Sequence, residues 1–269
     1  MKDGFLAVRA ASPALRVADC EYNTAQILAA MEDAGRAGVR LLCLPELCLT
    51  GYTCGDLFLQ AALLRGAEAG LRELLRASQE HDMVVLAGLP VTVDGKLYNC
   101  AAALARGRLL GLVPKTWLPN YSEFYELRHF SPGPAEVQEL TFAGQRTLFG
   151  SRLLFACRQM ESFVLGVELC EDLWAPVPPS CGLALAGATV IANLSASDET
   201  IGKADYRRQL VCGQSARLLC GYLYADAGHG ESTTDMVFAA HDLIAENGTL
   251  LCETGPFGGS TAETQLDLD

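Results

Sequence analysis

An α/β fold is expected from this sequence, with two mixed β-sheets packed together and helices covering them on the outside. Three observations lead there. Apolar runs of strand length alternate with helical periodicity over the first ninety residues or so, a βαβαβ pattern that favours strands buried against helices. Hairpin signals such as Asp94-Gly95 and Asn247-Gly248 then interrupt the alternation and demand antiparallel pairing as well. No internal repeat, low-complexity tract or linker composition divides the 269 residues, so the chain reads as one domain, 1–269.

In chain order, Phe5–Ala10 reads as a short strand. Ile27, Leu28, Met31 and Ala34 recur at helical spacing between Asn23 and Ala37, and Gly38 ends the helix. Leu41–Leu44 is a fully apolar strand stopped by Pro45. A loop over Leu47–Gly55 leads to a helical region from Asp56 to His81, and Met83–Leu89 is the third strand. Val91–Val93 and Leu97–Ala105 form a hairpin, and Arg106-Gly107-Arg108 turns the chain again into Leu109–Val113. Thr116–Pro134 is a long irregular stretch rich in aromatic and charged residues, and loops of that length inside a domain are usually functional. Val137–Phe142, Arg152–Ala156 and Phe163–Leu169 read as further strands, Ser180–Ala186 as helical and Thr189–Asn193 as strand. Ser195–Ile201 is loop, Ala204–Leu219 helix and Gly221–Asp226 strand. A last hairpin joins Met236–Glu246 to Thr249–Cys252, and the polar ending is expected to fray. The glycine-rich Gly255–Ser260 has the composition of a phosphate loop but no following helix and no lysine, so it reads as a turn.

Composition narrows the function. Thirty-two acidic against twenty basic residues give a net charge of −12, which disfavours nucleic acid and anionic membranes as partners because both need basic patches. Arg9 interrupts what would be a signal sequence's apolar core, and no window is long and apolar enough for a membrane span, so a cytoplasmic location is expected. Eleven cysteines without regular spacing then read as reduced thiols. Neither a Cys-x-x-Cys nor a ligand-spaced histidine pair occurs, and no metal site is expected.

Three residues share one kind of position. Glu46 follows Leu41–Leu44 and Pro45; Lys115 follows Leu109–Val113 and Pro114; Cys170 follows Phe163–Leu169. Ligands of parallel sheets collect beyond the carboxyl ends of the strands. A thiol nucleophile needs a base, and a tetrahedral intermediate needs a cationic or N–H donor for its oxyanion. Glutamate, lysine and cysteine fill those roles without a histidine. Each alone has an ordinary structural explanation, as a helix-entry acid, a surface cation or a buried core thiol. The coincidence of all three at strand ends is what singles them out.

The motifs around them, Leu44-Pro-Glu-Leu-Cys-Leu-Thr-Gly-Tyr52, Pro114-Lys-Thr-Trp-Leu-Pro-Asn-Tyr121 and Glu168-Leu-Cys-Glu-Asp-Leu-Trp174, resemble the Glu, Lys and Cys motifs of the nitrilase (carbon–nitrogen hydrolase) superfamily. The resemblance is closer still to the N-terminal glutaminase domain of glutamine-dependent NAD⁺ synthetases. Thr50–Phe58, Ser122–Phe130, Asn193–Ser197, Thr200–Lys203 and Gly230–Asp235 carry it, in consistent order from Met1 to about Glu253.

The resemblance implies an α-β-β-α sandwich that pairs across its helices into an oligomer. It implies that Cys170 attacks the side-chain amide of L-glutamine, that Glu46 is the general base and acid, and that Lys115 with the Glu171 N–H stabilises the oxyanion. Glu126 matches a second glutamate that many members place near the cysteine and lysine. For the substrate's α-ammonium and α-carboxylate it implies Glu171, Ser197, Lys203 and Tyr121. It implies no cofactor in this domain: ATP and Mg²⁺ belong to a synthetase domain, of which nothing in this sequence is similar. The expected whole is therefore a longer parent chain whose synthetase domain uses the ammonia released here. The competing expectation is a free-standing nitrilase-family amidase acting on another small amide, and a third is a thiol-rich binding module in which Cys170 is inert.

Overall fold

The opening alternation folds as its apolar spacing requires. β1 (Phe5–Ala11), α1 (Cys20–Ala37), β2 (Leu41–Cys43), α2 (Ala61–Ala77) and β3 (Val84–Val93) follow one another, and β1, β2 and β3 lie side by side in parallel. The structure is a computed structural model describing residues 4–134, 136–259 and 261–269. Ser260, the end of the glycine-rich stretch, and Met1–Asp3 lie outside the described residues. Helix α1 begins at Cys20 rather than Asn23 because the Asp19 carboxylate accepts the Tyr22 N–H at 3.0 Å, and Gly38 closes it at φ 79°.

The hairpins then extend the sheet. β4 (Lys96–Ala105) runs antiparallel to β3 and β5 (Arg108–Pro114) antiparallel to β4, so β5 points the same way as β3, and β6 (Gln138–Phe142) with β7 (Gln145–Phe149) completes that edge. The chain crosses to a second sheet at β8 (Leu154–Ala156) and β9 (Val164–Leu169). There it forms α3 (Glu171–Trp174), α4 (Pro179–Leu185), β10 (Val190–Ser195), α5 (Lys203–Leu218) and β11 (Gly221–Asp226), with β9, β10 and β11 parallel. β12 (Leu243–Glu246) and β13 (Thr249–Glu253) follow, and β14 (Thr261–Asp267) returns to the first sheet. The strand orders are β14-β1-β2-β3-β4-β5-β7-β6 and β13-β12-β11-β10-β9-β8.

Three apolar layers hold this together. Leu6, Val8, Leu41, Leu86 and Val113 of the larger sheet meet Leu165, Val167, Ala192, Leu223 and Ile244 of the smaller one between the sheets. Outside the larger sheet α1 and α2 pack Ile27, Met31, Leu71 and Leu74 onto Leu42, Val85 and Ala87. Outside the smaller sheet Leu183 and Val211 cover Ile191, Tyr222 and Leu243. The result is the expected α-β-β-α sandwich. All parallel strands of each sheet end at the same edge, so Glu46, Lys115 and Cys170 converge there.

Several expectations need correction. The polar C-terminus does not fray: Thr261–Asp267 pairs antiparallel with all of β1, because Ala262 and Leu266 face the core while the alternate positions face out, and Arg9 Nε donates to Glu263 at 2.7 Å. Gln145–Phe149, not read as regular structure, is strand β7, with Thr147 and Phe149 buried and the intervening residues exposed. The helical region expected from Asp56 divides into a 3₁₀ segment Tyr52–Leu59, kinked at Gly55 (φ 52°), and then α2. Pro90 does not break β3, which runs through it opposite Asn99. The last hairpin starts at Leu243; residues 236–242 are loop, tied to the Ser197–Thr200 segment by a bridge between Asp198 and Phe238.

Candidate active site

Cys170 caps the one-turn helix α3 at the end of β9, with φ 39° and ψ −101°. A non-glycine residue rarely holds a positive φ, and such strain persists only where the surroundings enforce it. Here they do: the Cys170 N–H donates to Leu194 O at 3.0 Å and to Asn193 Oδ1 at 2.9 Å. Asn193 in turn donates to Tyr222 Oη at 3.3 Å, and Tyr222 donates to the buried Glu168 at 2.5 Å. The sharp strand-to-helix turn leaves the Glu171 N–H at the first helical position, where no carbonyl four residues back can accept it. Burial, and then the charge of Glu46, push the Cys170 thiol up, against Lys115, Ser195 and the Ala196 N–H. At rest it is a neutral thiol and needs a base to become a nucleophile.

Glu46 and Lys115 are fully buried beside it. Glu46 Oε1 accepts Lys115 Nζ at 2.7 Å and Asn99 Nδ2 at 2.6 Å, while Lys115 Nζ also donates to Glu126 Oε1 at 2.6 Å. Tyr52 Oη donates to the same Glu126 oxygen at 2.8 Å. The second oxygens, Oε2 of Glu46 and of Glu126, are buried without a hydrogen-bond partner among the described residues. Burial and the charge of Glu126 raise the Glu46 carboxyl to about 7, against the pull of Lys115 and Asn99. Burial works against the Lys115 ammonium, but Glu126 and Glu46 outweigh it and hold its pKa well above the ordinary value. The Glu46 turn crosses β3 so closely that a Cβ on Gly88 would lie 2.2 Å from Leu47 N, so only glycine fits beneath it.

In front of the thiol is a cavity of ≈ 330 Å³ whose wall includes Cys170, Tyr121, Glu171, Ser197 and Lys203. All four residues expected to bind substrate therefore line one cavity with Cys170. Tyr121 Oη donates to both Glu171 oxygens at 3.0 and 3.1 Å. Burial raises the Glu171 carboxyl, with the Tyr121 hydrogen bond opposing. Lys203 and Ser197 are already engaged. Lys203 pairs with Asp198 and lies 5.2 Å over the Trp174 ring; the Ser197 N–H donates to Asp226 Oδ1 at 2.8 Å. Glu46 and Lys115 are not on this wall, and Glu126 lines a separate cavity of ≈ 230 Å³ with Tyr52, Phe58 and Met236.

Five residues that the sequence reading gave no role support this arrangement. Tyr52, Asp172 and Asn193 lie within the quoted motifs, but only contacts reveal their use. Asp172 is buried and accepts the N–H groups of Thr116 (3.1 Å), Trp117 (2.7 Å) and Leu169 (3.1 Å), tying the Lys115 loop to the Cys170 turn. Asn99 is one polar residue ahead of the apolar run Cys100–Leu104, which is a signal of a kind. Arg207, wholly buried on α5, donates to Glu199 at 2.9 Å, His241 Nδ1 at 3.0 Å, Asp198 O at 3.2 Å and Ser197 Oγ at 3.4 Å. Among the described residues no three His, Cys, Asp or Glu side chains gather as metal ligands, and the eleven cysteines are free thiols. Among the described residues no helix is long and apolar enough to cross a membrane.

Comparison with known proteins places this geometry in context. A family model for carbon–nitrogen hydrolases matches residues 5–269. The glutamine-dependent NAD(+) synthetase of Mycobacterium tuberculosis (strain ATCC 25618 / H37Rv) is 42% identical over 266 residues, which is 99% of this chain and 39% of that protein. The crystal structure of a glutamine-dependent NAD(+) synthetase from Cytophaga hutchinsonii superimposes with a TM-score of 0.87 at 31% identity, over 98% of this chain and 43% of that one. An amidase of the nitrilase superfamily from Nesterenkonia shares the fold, with a TM-score of 0.77 at 18% identity over 99% of this chain and 92% of its own. The chain thus spans about two fifths of the length of the curated relatives it matches.

Proposed function

Because the chain belongs to the carbon–nitrogen hydrolase family, we propose that it hydrolyses the side-chain amide of L-glutamine and supplies ammonia for the ATP-dependent amidation that yields NAD⁺. The observation that carries the reading is the buried Glu46–Lys115–Glu126 chain, whose Glu46 and Lys115 charges act on a strained cysteine. Its link to NAD⁺ rests on the 42% identity to a named synthetase. The amidation, with its ATP and Mg²⁺, is assigned to a synthetase domain of the parent chain, and no cofactor is assigned to this one. The amidase alternative has similarity of fold on its side, at 18% identity.

In the proposed reaction Glu46 takes the Cys170 proton as Sγ bonds to the amide carbon. The oxyanion is held by the Lys115 ammonium and the Glu171 N–H, each aimed where charge develops. Glu46 returns the proton to nitrogen, the C–N bond breaks, and ammonia leaves a thioester on Cys170. Glu46 then takes a proton from water, hydroxide adds to the thioester, and the C–S bond breaks as Glu46 returns that proton to sulfur, giving glutamate and the free thiol. Glu126 fixes the far side of Lys115. Glu171 with Tyr121 receives the α-ammonium, and Ser197 and Lys203 receive the α-carboxylate, Lys203 exchanging Asp198 for it. Copies of the chain are proposed to associate through their helical faces.

The test compares L-glutamine with 2-oxoglutaramate, in which a ketone replaces the ammonium. A carboxylate left unpaired in the pocket costs several kcal/mol, so glutamine should be hydrolysed much faster, and Glu171→Gln should erase most of that preference while Cys170 still reacts with an electrophilic glutamine analogue. Preference for the keto acid would favour the amidase alternative. Labelling that spreads over other cysteines and spares Cys170 would remove the nucleophile.

A further inference from the structure

A second cavity, of ≈ 380 Å³ against ≈ 330 Å³ at Cys170, lies at the opposite edge of the sandwich, where the parallel strands begin. Arg40 precedes β2, Asp82 precedes β3, Arg106 and Arg108 sit at the β4–β5 turn, and Arg158 follows β8. Gly111 of β5 carries no side chain and so lets Phe155 lie close against that strand; a Cβ there would meet the Phe155 ring at 2.9 Å. Phe155 and Phe163 therefore form an apolar floor, joined by Val84, Leu110 and Leu165.

The rim has the opposite sign from the rest of the molecule. The protein carries −12 overall, yet four arginines and a single carboxylate line this cavity. Asp82 serves two of them: it accepts Arg40 Nη1 at 2.8 Å and Arg106 Nε at 3.1 Å. Arg108 and Arg158 have no carboxylate partner among the described residues, and both are exposed at the mouth. Guanidinium forks without a carboxylate match the oxygens of a phosphate, and do so better than lysine because the two N–H bonds run parallel. A volume of this size lies within the usual range of small-molecule pockets, and an aromatic floor suits a flat ring rather than a sugar or a bare ion. On an acidic protein, an isolated cationic mouth also concentrates anions that the remaining surface repels.

We propose that this cavity is a second binding site, for a phosphate ester of a flat aromatic or heteroaromatic molecule, with Arg108 and Arg158 on the phosphate and Phe155 and Phe163 under the ring. It is independent of the amide chemistry, since no residue of the Glu46–Lys115–Cys170 site lines it.

Calorimetric titration with 1-naphthyl phosphate tests it, using inorganic phosphate and 1-naphthol as the separated halves. The wild-type chain should bind 1-naphthyl phosphate saturably with one site, and each half more weakly by about tenfold or more, as loss of a charge-assisted contact or of ring burial would produce. Arg108→Ala combined with Arg158→Ala should weaken naphthyl phosphate about tenfold or more and leave naphthol unchanged. Phe155→Leu should weaken naphthyl phosphate and leave inorganic phosphate unchanged. Both arginines are exposed, so the variant should keep its melting temperature and its Cys170 labelling. The proposal falls if the wild type shows no saturable binding, if the double arginine variant binds naphthyl phosphate as tightly as wild type, or if naphthol binds as well as its phosphate. It also falls if sedimentation shows that the arginine variant loses self-association while its phosphate affinity is unaltered.

Discussion

Lys115 stands between two carboxylates that without it would face each other in a site closed to water. In the proposed reaction Glu46 must be ionised to accept the thiol proton, and burial raises its carboxyl to about 7. The acidic limb of kcat/KM is therefore expected close to pH 7, with the rate rising as pH rises through it, while Lys115 stays charged. The sign for stability is opposite. A carboxyl raised above its unfolded value binds more protons in the native state, so its contribution is complete below about 4.5 and is lost as pH rises through about 7. Lys115→Ala should lower turnover by about 10²–10³, the usual loss for an oxyanion donor. It should also move the acidic limb to higher pH, because Glu46 loses the cation that favours its charged form while the Glu126 charge remains beside it. An alanine variant with an unmoved limb would mean that Lys115 does not set the charge of Glu46. Glu46, Lys115 and Cys170 could be picked from sequence because each follows an apolar run, two of them after a proline. Asn99 and Tyr52 could not, since their hydrogen bonds to Glu46 and Glu126 span 53 and 74 residues. No local pattern carries such a pairing.

Helix α5 acts on the cavity through Lys203, in its wall, and through Arg207. Arg207 reaches Ser197, Asp198 and Glu199 in turn, so this one guanidinium, together with the Lys203–Asp198 pair, fastens the loop after β10 to α5. Since Arg207 only donates, His241 Nδ1 must accept, and its Nε2–H faces Glu253 at 2.9 Å. Burial lowers the His241 pKa, which agrees with a neutral ring. Arg207→Lys keeps the charge but not the fork, so it should raise KM for glutamine more than it lowers kcat. Reaction of Cys170 with iodoacetamide should persist at the wild-type rate, and an equal loss in both readouts would assign Arg207 to stability alone. Arg207→Met would leave Asp226 buried without a cation, a change that typically costs about 3–5 kcal/mol. The helix itself was legible, but not its inward arginine, because α5 carries few apolar residues and so little marks its buried face. The one-turn α3 was likewise hidden. Four residues followed by Ala175-Pro176 carry no period, and the turn is fixed by the bonds that hold Cys170.

The two sheets are locked together where β14 meets β11. Leu266 is fully buried, and its Cδ1 lies where a Cβ on Gly221 would be 2.5 Å away, so a knob from one sheet fills a hole in the other. The strand that carries Leu266 looked disposable in sequence because only Ala262 and Leu266 of Thr261–Asp267 are buried and every other position is polar. An edge strand needs only one face, and pairing with β1 supplies the rest. Leu266→Ala should cost about 2–5 kcal/mol through the cavity it leaves. Gly221→Ala alone should cost about 1–3 kcal/mol by overpacking, since its backbone lies outside the left-handed region and the atoms nearest the new methyl all belong to Leu266. In the double variant that methyl occupies space the leucine vacated. Urea denaturation should therefore show the pair less destabilised than the sum of the singles by about 0.5–3 kcal/mol, the usual coupling of residues in contact. Additive losses would mean that the sheets do not interlock at this point. Labelling of Cys170 should be unchanged in all three variants, because the catalytic turns lie at the carboxyl ends of the strands and Gly221 begins β11.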